Sequence, residues 1–202
     1  MYRTIFATLI LIAATSAMAT EEPAYKVIGT IDAVELREYS PYVVAEVLIS
    51  GDANDASNAA FPILAGYIFG KNKGQKRFAM TAPVTQSAKP IKLKMTAPVT
   101  QTATSGGYAV QFVLPRTVTL ESAPEPLDPR VMLRQVPMQR VAVIRFSGFW
   151  SDANYQENLT KLQQSLRKSN EPWQGDPMYA RYDAPFTPWF MRRNEIWLQI
   201  RP

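Results

Sequence analysis

The sequence predicts an α+β fold: a distorted antiparallel β-barrel or curled sheet of about eight strands, flanked by two helices and built from a ββαββ unit used twice with pseudo-twofold symmetry. Three observations predict it. The first is a rhyme between the halves. Leu36-Arg37-Glu38 returns as Leu133-Arg134-Gln135, Val44-Ala45-Glu46-Val47 as Val141-Ala142-Val143-Ile144, Ser50-Gly51 as Ser147-Gly148, and Asp52-Ala53-Asn54 as Asp152-Ala153-Asn154. The second is that each half sets extended runs on both sides of one amphipathic segment of helical length. The third is the short Pro-rich connector Ala123-Pro124-Glu125-Pro126-Leu127-Asp128-Pro129, too brief to separate independent domains. The expected organisation is one domain over residues 20–202, with half one at about 25–120 and half two at about 130–202.

The first nineteen residues fall outside that domain. Met1-Tyr2-Arg3 is positive, Thr4 to Ala14 is almost wholly apolar, and Ala17-Met18-Ala19 has the small-x-small form of a cleavage site. The apolar run is too short to span a bilayer, so residues 1–19 read as a secretory signal peptide. The mature chain then begins at Thr20, and the expected address is exported, periplasmic or secreted.

Along the mature chain, Tyr25 to Ile31 reads as an opening strand and Val34 to Tyr39 alternates. Ser40-Pro41 turns the chain into a second extended run, Tyr42 to Ile49. Ser50 to Asn54 breaks the pattern and offers helix caps. An alanine-rich helix follows from about Asp55 to Phe69, with Phe61, Leu64, Ala65 and Ile68 on one face. Pro62 within it implies a kink or a late start. Next come two near-identical phrases, Met80-Thr81-Ala82-Pro83-Val84-Thr85-Gln86 and Met95-Thr96-Ala97-Pro98-Val99-Thr100-Gln101. Val and Thr favour extension while Pro interrupts a ladder, so each phrase reads as a short strand broken at its proline, joined through Ser87-Ala88-Lys89-Pro90. Strand and turn chemistry alone accounts for this pair as a structural hairpin. The alternative is that Met80 and Met95 face one cavity, because adaptable thioethers suit irregular apolar surfaces. Tyr108 to Leu114 is a further strand behind the turn Ser105-Gly106-Gly107.

In the second half, a helix from about Asp152 to Lys168 carries the stripe Tyr155, Leu159, Leu162, Leu166, with Ser151 as its cap. Met178 to Tyr182 and Glu195 to Ile200 are strands. Asn158-Leu159-Thr160 matches a glycosylation sequon, but its place in mid-helix marks it as chance.

Composition narrows the chemistry. The chain has no cysteine and no histidine. That excludes disulfide stapling, thiol nucleophiles, imidazole bases and the metal sites built on either side chain. The formal charge is +5, and loss of Arg3 with the leader leaves 21 basic against 17 acidic residues, a surplus of four. This mild surplus suits an anionic ligand but lacks the dense basic stripe of a nucleic-acid binder. No nucleic-acid partner, no metal and no transmembrane segment after leader removal are expected, and a monomer is.

The last stretch, Ala180 to Glu195, sets Phe186, Trp189 and Phe190 between prolines and beside Arg192 and Arg193. By pattern it is either an aromatic plug over the barrel or an apolar wall with cations, suited to a flat ligand bearing carboxylates. This tail, the doubled Met-Thr-Ala-Pro-Val, Leu127-Asp128-Pro129-Arg130-Val131 and Val141 to Gly148 together resemble the SOUL haem-binding family, over about Tyr25 to Ile200. The resemblance implies a distorted barrel with two helices, similar to the effector-binding domains of some bacterial transcription regulators. It also implies affinity for haem or another tetrapyrrole in an apolar cleft beside the first helix. The cofactor-binding residues expected on this basis are Phe61, Leu64, Ala65, Ile68, Met80, Met95, Trp189, Phe190, Arg192 and Arg193, with no catalytic residue and no metal site. Some members are proposed to ligate iron through a histidine, which this chain lacks. Others place basic residues on the first helix, where this chain has Asn58 and Gly66 while keeping Phe61.

Burial alone is sufficient for binding. Covering several hundred Å² of macrocycle at about 25 cal/mol/Å² yields on the order of ten kcal/mol, and association costs of roughly 4 kcal/mol or more leave a micromolar-class affinity. Such a site barely distinguishes haem from metal-free porphyrin; Met80 and Met95 are the obvious iron ligands if the metal is bound. The expected function is therefore a carrier, buffer or scavenger rather than an enzyme. Another lipophilic anion is the alternative ligand, and two other functions stand beside carriage. One is a hydrolase using a buried carboxylate such as Glu46 or Glu195 as general base. The other is an interaction module whose aromatic loop projects into solvent.

Overall fold

The computed structural model describes residues 21–51, 53–78, 80–89, 107–183 and 186–201. Its elements are β1 (Tyr25–Ile31), β2 (Val34–Tyr39), β3 (Tyr42–Ser50), α1 (Ala53–Ile68), β4 (Val84–Lys89), β5 (Gly107–Val113), β6 (Met132–Val136), β7 (Gln139–Phe146), α2 (Asp152–Lys168), β8 (Trp173–Arg181) and β9 (Asn194–Ile200), with a 3₁₀ turn at Trp189–Met191. The nine described strands form one antiparallel sheet in the order β1-β2-β7-β9-β8-β4-β5-β3-β6. The sheet curls but does not close, because β1 and β6 are edges that pair with one neighbour each.

The order reveals how the repeat is assembled. Leaving aside β1, the series β2-β7-β9-β8 mirrors β6-β3-β5-β4. Each unit thus gives its first strand to the other: β2 pairs with β7, and β6 pairs with β3. The registers agree residue for residue, with Arg37 opposite Val141 in one case and Arg134 opposite Val44 in the other. The two layers meet where β4 pairs with β8, and Gln86 lies opposite Tyr179 at the centre of that junction.

Both helices cover the same face. α1 buries Ala60, Leu64, Ala65 and Ile68 against Ala45 and Val47 of β3 and Val110 and Phe112 of β5. α2 buries Leu159, Leu162 and Leu166 against Ala142 and Ile144 of β7 and Ile196 and Leu198 of β9. Because alternate strand residues point to opposite faces, Glu195 and Trp197 lie on the other side with Tyr39, Val143 and Ala180. Among the described residues that face has no helix over it yet is buried, which is what curling the sheet onto itself accomplishes.

Local departures from expectation have local causes. α1 begins well before Pro62, since its buried face outweighs the one hydrogen bond that proline forfeits. The first Met-Thr-Ala-Pro-Val phrase becomes strand only at Val84, after the proline without a donor. Ser87 to Lys89, expected as a loop, continue β4 and pair with Ala109 to Gly107. The second phrase, with Met95, lies outside the described residues. β8 starts earlier than expected, at Trp173, and shifts register between Gln174 and Met178, around Gly175 (φ +71°) and Pro177. Ser151 caps α2 as expected, its hydroxyl accepting from the Asn154 backbone N–H at 3.3 Å. Asn158 of the sequon is buried and donates to the Asn154 carbonyl at 2.8 Å, so it serves the helix.

Candidate functional site

Nine of the ten residues expected to bind a cofactor are described, and they separate into three places. Leu64, Ala65 and Ile68 are buried in the first core, and Met80 packs against its edge. Phe61 stands at the margin of that core, edge-on to Phe112 at 5.4 Å between ring centres and 44% exposed. The space beneath α1 is therefore filled by the protein's own side chains. Trp189 and Phe190 lie on the 3₁₀ turn, both exposed, with Trp189 stacked on the exposed Phe149. Arg193 is committed to structure, meeting Glu195 at 2.8 Å and Glu22 at 2.7 Å. Arg192 donates to the Thr187 carbonyl and sits 4.5 Å from the Trp150 ring.

A cavity of about 540 Å³ lies elsewhere, and none of the nine described candidates lines it. It opens over the β4–β8 junction, between the N-terminal ends of the two helices. Its aromatic walls are Tyr108, Trp150, Tyr155 and Tyr179; Gln86, Ser87 and Arg181 come from the junction strands, and Asp55, Asp152 and Asp176 from the margins. The position follows from the repeat. Gln86 and Tyr179 are equivalent by register and lie opposite each other. Asp55 and Tyr155 are equivalent by the Asp-Ala-Asn rhyme. The cleft thus sits on the pseudo-twofold axis, where the second half supplies rings and the first half mostly polar groups.

Its walls are firmly held. The Trp150 indole N–H donates to Asn194 Oδ1 at 2.7 Å, and the fully buried Asn194 donates in turn to the Gly148 carbonyl. Tyr179 packs between Phe146 and Tyr155, at 6.2 and 5.0 Å between ring centres. Burial pushes the Tyr155 phenol up to about 12 and raises that of Tyr179 as well, so both stay protonated at neutral pH. The Tyr179 hydroxyl is buried and makes no hydrogen bond of ordinary geometry, but it lies close enough to the Arg181 guanidinium for the two to attract each other. Alternation along β8 sends Tyr179 and Arg181 to the cleft, while Ala180 turns inward. Arg181 lies 4.7 Å from the Trp150 ring and 5.0 Å from that of Tyr179.

Glu46 and Glu195, the carboxylates considered as general bases, are elsewhere and are neutralised. Glu46 pairs with Arg134 at 3.1 Å. Glu195 is fully buried and receives Arg37 at 2.9 Å, Arg193 at 2.8 Å, Tyr182 at 2.7 Å and the Trp197 indole at 2.8 Å. Burial pushes Glu195 up, but hydrogen bonding and charge from Arg37 and then Arg193 more than offset it and hold the carboxyl below its ordinary range. A carboxylate so satisfied is a poor base. Among the described residues no group of three or more acidic, histidine or cysteine side chains converges to hold a metal ion, and no helix is long and apolar enough to cross a membrane.

A family model described as SOUL heme-binding protein matches residues 20–199. The chain belongs to the SOUL heme-binding protein family. A protein named Heme-binding protein 2 from Mus musculus is 31% identical over 186 residues, covering 89% of this chain and 86% of that one. Heme-binding protein 1 from Mus musculus is 29% identical over 146 residues, covering 72% of each. Among solved structures, the EcmrR C-terminal domain superposes with a TM-score of 0.61 at 12% identity, over 88% of this SOUL chain and 98% of that domain. A protein from Listeria innocua titled a hydrolase does so at 0.56 and 11% identity, over 86% and 94%. At such identities the likeness is one of fold. The family and the relatives named for heme binding suggest a binding protein rather than an enzyme.

Sequence reasoning did not single out the cleft residues Trp150, Tyr179 and Arg181; Tyr155, expected on the apolar stripe of α2, does pack against that core and lines the cleft as well. Tyr155 and Trp150 were reachable: the rhyme places the two helix starts at equivalent points, so whatever flanks them meets near the symmetry axis. Tyr179 and Arg181 depended on the β4–β8 register, for which no local pattern exists.

Proposed function

We propose that this chain binds haem or a related tetrapyrrole non-covalently in the axial cleft, without histidine ligation, as a carrier, buffer or scavenger. The observation behind this reading is the cleft's construction: four aromatic rings around about 540 Å³, with a guanidinium among them. That volume lies within the roughly 300–1,000 Å³ typical of small-molecule sites, and the donor set suits a planar apolar body with an anionic edge. Membership of the SOUL family and relatives named for heme binding point the same way. Haem would bring its iron, but the described lining contains no Met or Lys, the chain has no His, and burial keeps Tyr155 and Tyr179 protonated. Haem and protoporphyrin IX should therefore bind with similar affinity.

Titration of the purified chain with each, followed through the Soret band and Trp150 fluorescence, tests the reading. Dissociation constants within about threefold of each other and below about 100 μM, near 5–6 kcal/mol of binding free energy, are expected. Failure of both ligands to bind in that range removes the reading.

The export reading has one supporting coincidence: the family match begins at Thr20, next to the expected cleavage point. Protein recovered from the periplasm or medium should start at Thr20, whereas recovery from the cytoplasm with Met1 retained refutes export. A second reading, an interaction surface, is favoured by the exposure of Phe149, Phe186, Phe190 and Met191 around the 3₁₀ turn. Replacing Phe190 and Met191 with Ser should change sedimentation or vesicle flotation; unchanged behaviour in both sinks it.

A further inference from the structure

Among the described residues Arg181 is the one basic side chain of the cleft lining, and its surroundings are unusual for a cation. It contacts the Trp150 and Tyr179 rings. Among the described residues no carboxylate acts on it: burial pulls its pKa down, the neighbouring Tyr179 hydroxyl offsets part of this, and the like charge of Arg192 across the same indole adds to the lowering. A guanidinium is seldom left half-buried against aromatic rings without a counter-ion. Four other arginines show the contrast: Arg37, Arg134 and Arg140 on strands and Arg193 just before β9 each meet a glutamate within 3.1 Å.

Asp55, Asp152 and Asp176 also border the cavity and oppose an anion there. All three are exposed, whereas Arg181 is not. Exposed charges are screened within a Debye length of about 8–10 Å, while a partly buried one is screened much less. The floor cation therefore decides which end of a ligand goes down.

We propose that Arg181 is the anion-recognising residue of the cleft: it takes a carboxylate of the bound tetrapyrrole, with Trp150 as the platform that fixes its guanidinium. The inference rests on the reading of the cleft as a tetrapyrrole site. It adds a direction to the ligand, acidic edge toward β8 and apolar edge toward Tyr108 and Tyr155. A planar, five-donor guanidinium held over an indole loses little freedom on pairing with a carboxylate.

The test compares protoporphyrin IX, its dimethyl ester and pyrenebutyrate on the wild-type chain, Arg181→Gln and Arg181→Lys, with circular dichroism to verify that each variant is folded. We expect the wild type to prefer the diacid over the ester by about tenfold or more, as a charge-assisted contact in a sheltered site would provide. Arg181→Gln should erase that preference by weakening the diacid and sparing the ester, and Arg181→Lys should keep part of it. If the wild type binds ester and diacid alike, or Arg181→Gln keeps the preference, Arg181 is not the anion site while the tetrapyrrole reading stands. If neither porphyrin binds but pyrenebutyrate does so through Arg181, the tetrapyrrole reading fails and the anion site survives. If none of the three binds, both are overturned.

Discussion

Replacing Glu195 with Gln tests whether the buried charge network behind the cleft is structural. The carboxylate is fully buried and accepts from Arg37 Nη1 at 2.9 Å and Nη2 at 3.1 Å, Arg193 Nε at 3.0 Å, Tyr182 Oη at 2.7 Å and Trp197 Nε1 at 2.8 Å. Glutamine keeps the shape but removes the charge and turns one acceptor into a donor that faces other donors. Arg37 is only 2% exposed and would be left with Glu35, whose side chain is 43% exposed. Removing one member of a buried pair costs about 3–5 kcal/mol, mostly the penalty of the stranded partner. For a domain of this size, where 1 kcal/mol corresponds to about 2–4 °C, the melting temperature should fall by roughly 6–20 °C.

Urea unfolding followed by tryptophan fluorescence measures the loss directly. The pH profile provides an independent check. The folded-state pKa of Glu195 lies below its ordinary value of 4.5. Its contribution is therefore present above about pH 4.5 and is lost as pH falls through the lower folded value. The Gln variant lacks this acid-sensitive component, so the gap between the two proteins should narrow with acidification. A loss below about 1 kcal/mol at neutral pH, or a gap that stays constant down to acid, would refute the reasoning.

Three further outcomes follow from the same geometry. Leu64→Ala empties a fully buried site in the first core and should cost about 2–5 kcal/mol in urea unfolding, yet leave porphyrin affinity within about twofold because Leu64 does not line the cleft. Tyr179→Phe removes a buried hydroxyl that makes no hydrogen bond of ordinary geometry and only attracts Arg181, so thermal stability should stay within about 1 kcal/mol of the wild type, whereas a larger loss would reveal a full hydrogen bond there. Ser151→Ala deletes the α2 cap and should cost about 1 kcal/mol, rescued by Asp or Asn at the same place.

The architecture was legible because its signals are local or repeated. Ser50-Gly51 and Ser147-Gly148 end equivalent strands, and Leu159, Leu162 and Leu166 mark a helix face without outside help. The cleft was not legible, because its parts are joined only by pairing of strands distant in sequence. Tyr179 reads from the chain as an ordinary strand aromatic; only its place opposite Gln86 puts it on the axis. Phe61 and Leu64 show a related ambiguity. An apolar helix face has the same pattern whether it lines a ligand site or packs on a sheet, and here β3 and β5 cover it. Arg192 and Arg193 show the converse: adjacent in sequence, they part company because one faces the Trp150 indole and the other the Glu195 carboxylate.

The exchange of β2 and β6 between the two units has a consequence for how the molecule could be taken apart. Cut within the connector, neither fragment would keep its own sheet complete: each would lack the outermost strand beside β3 or β7 and hold a spare one meant for the other. Two such pieces should be poorly folded alone and recombine when mixed. A single unit, duplicated as separate chains, would be expected to clasp a copy of itself and enclose one cleft per pair, shared between them.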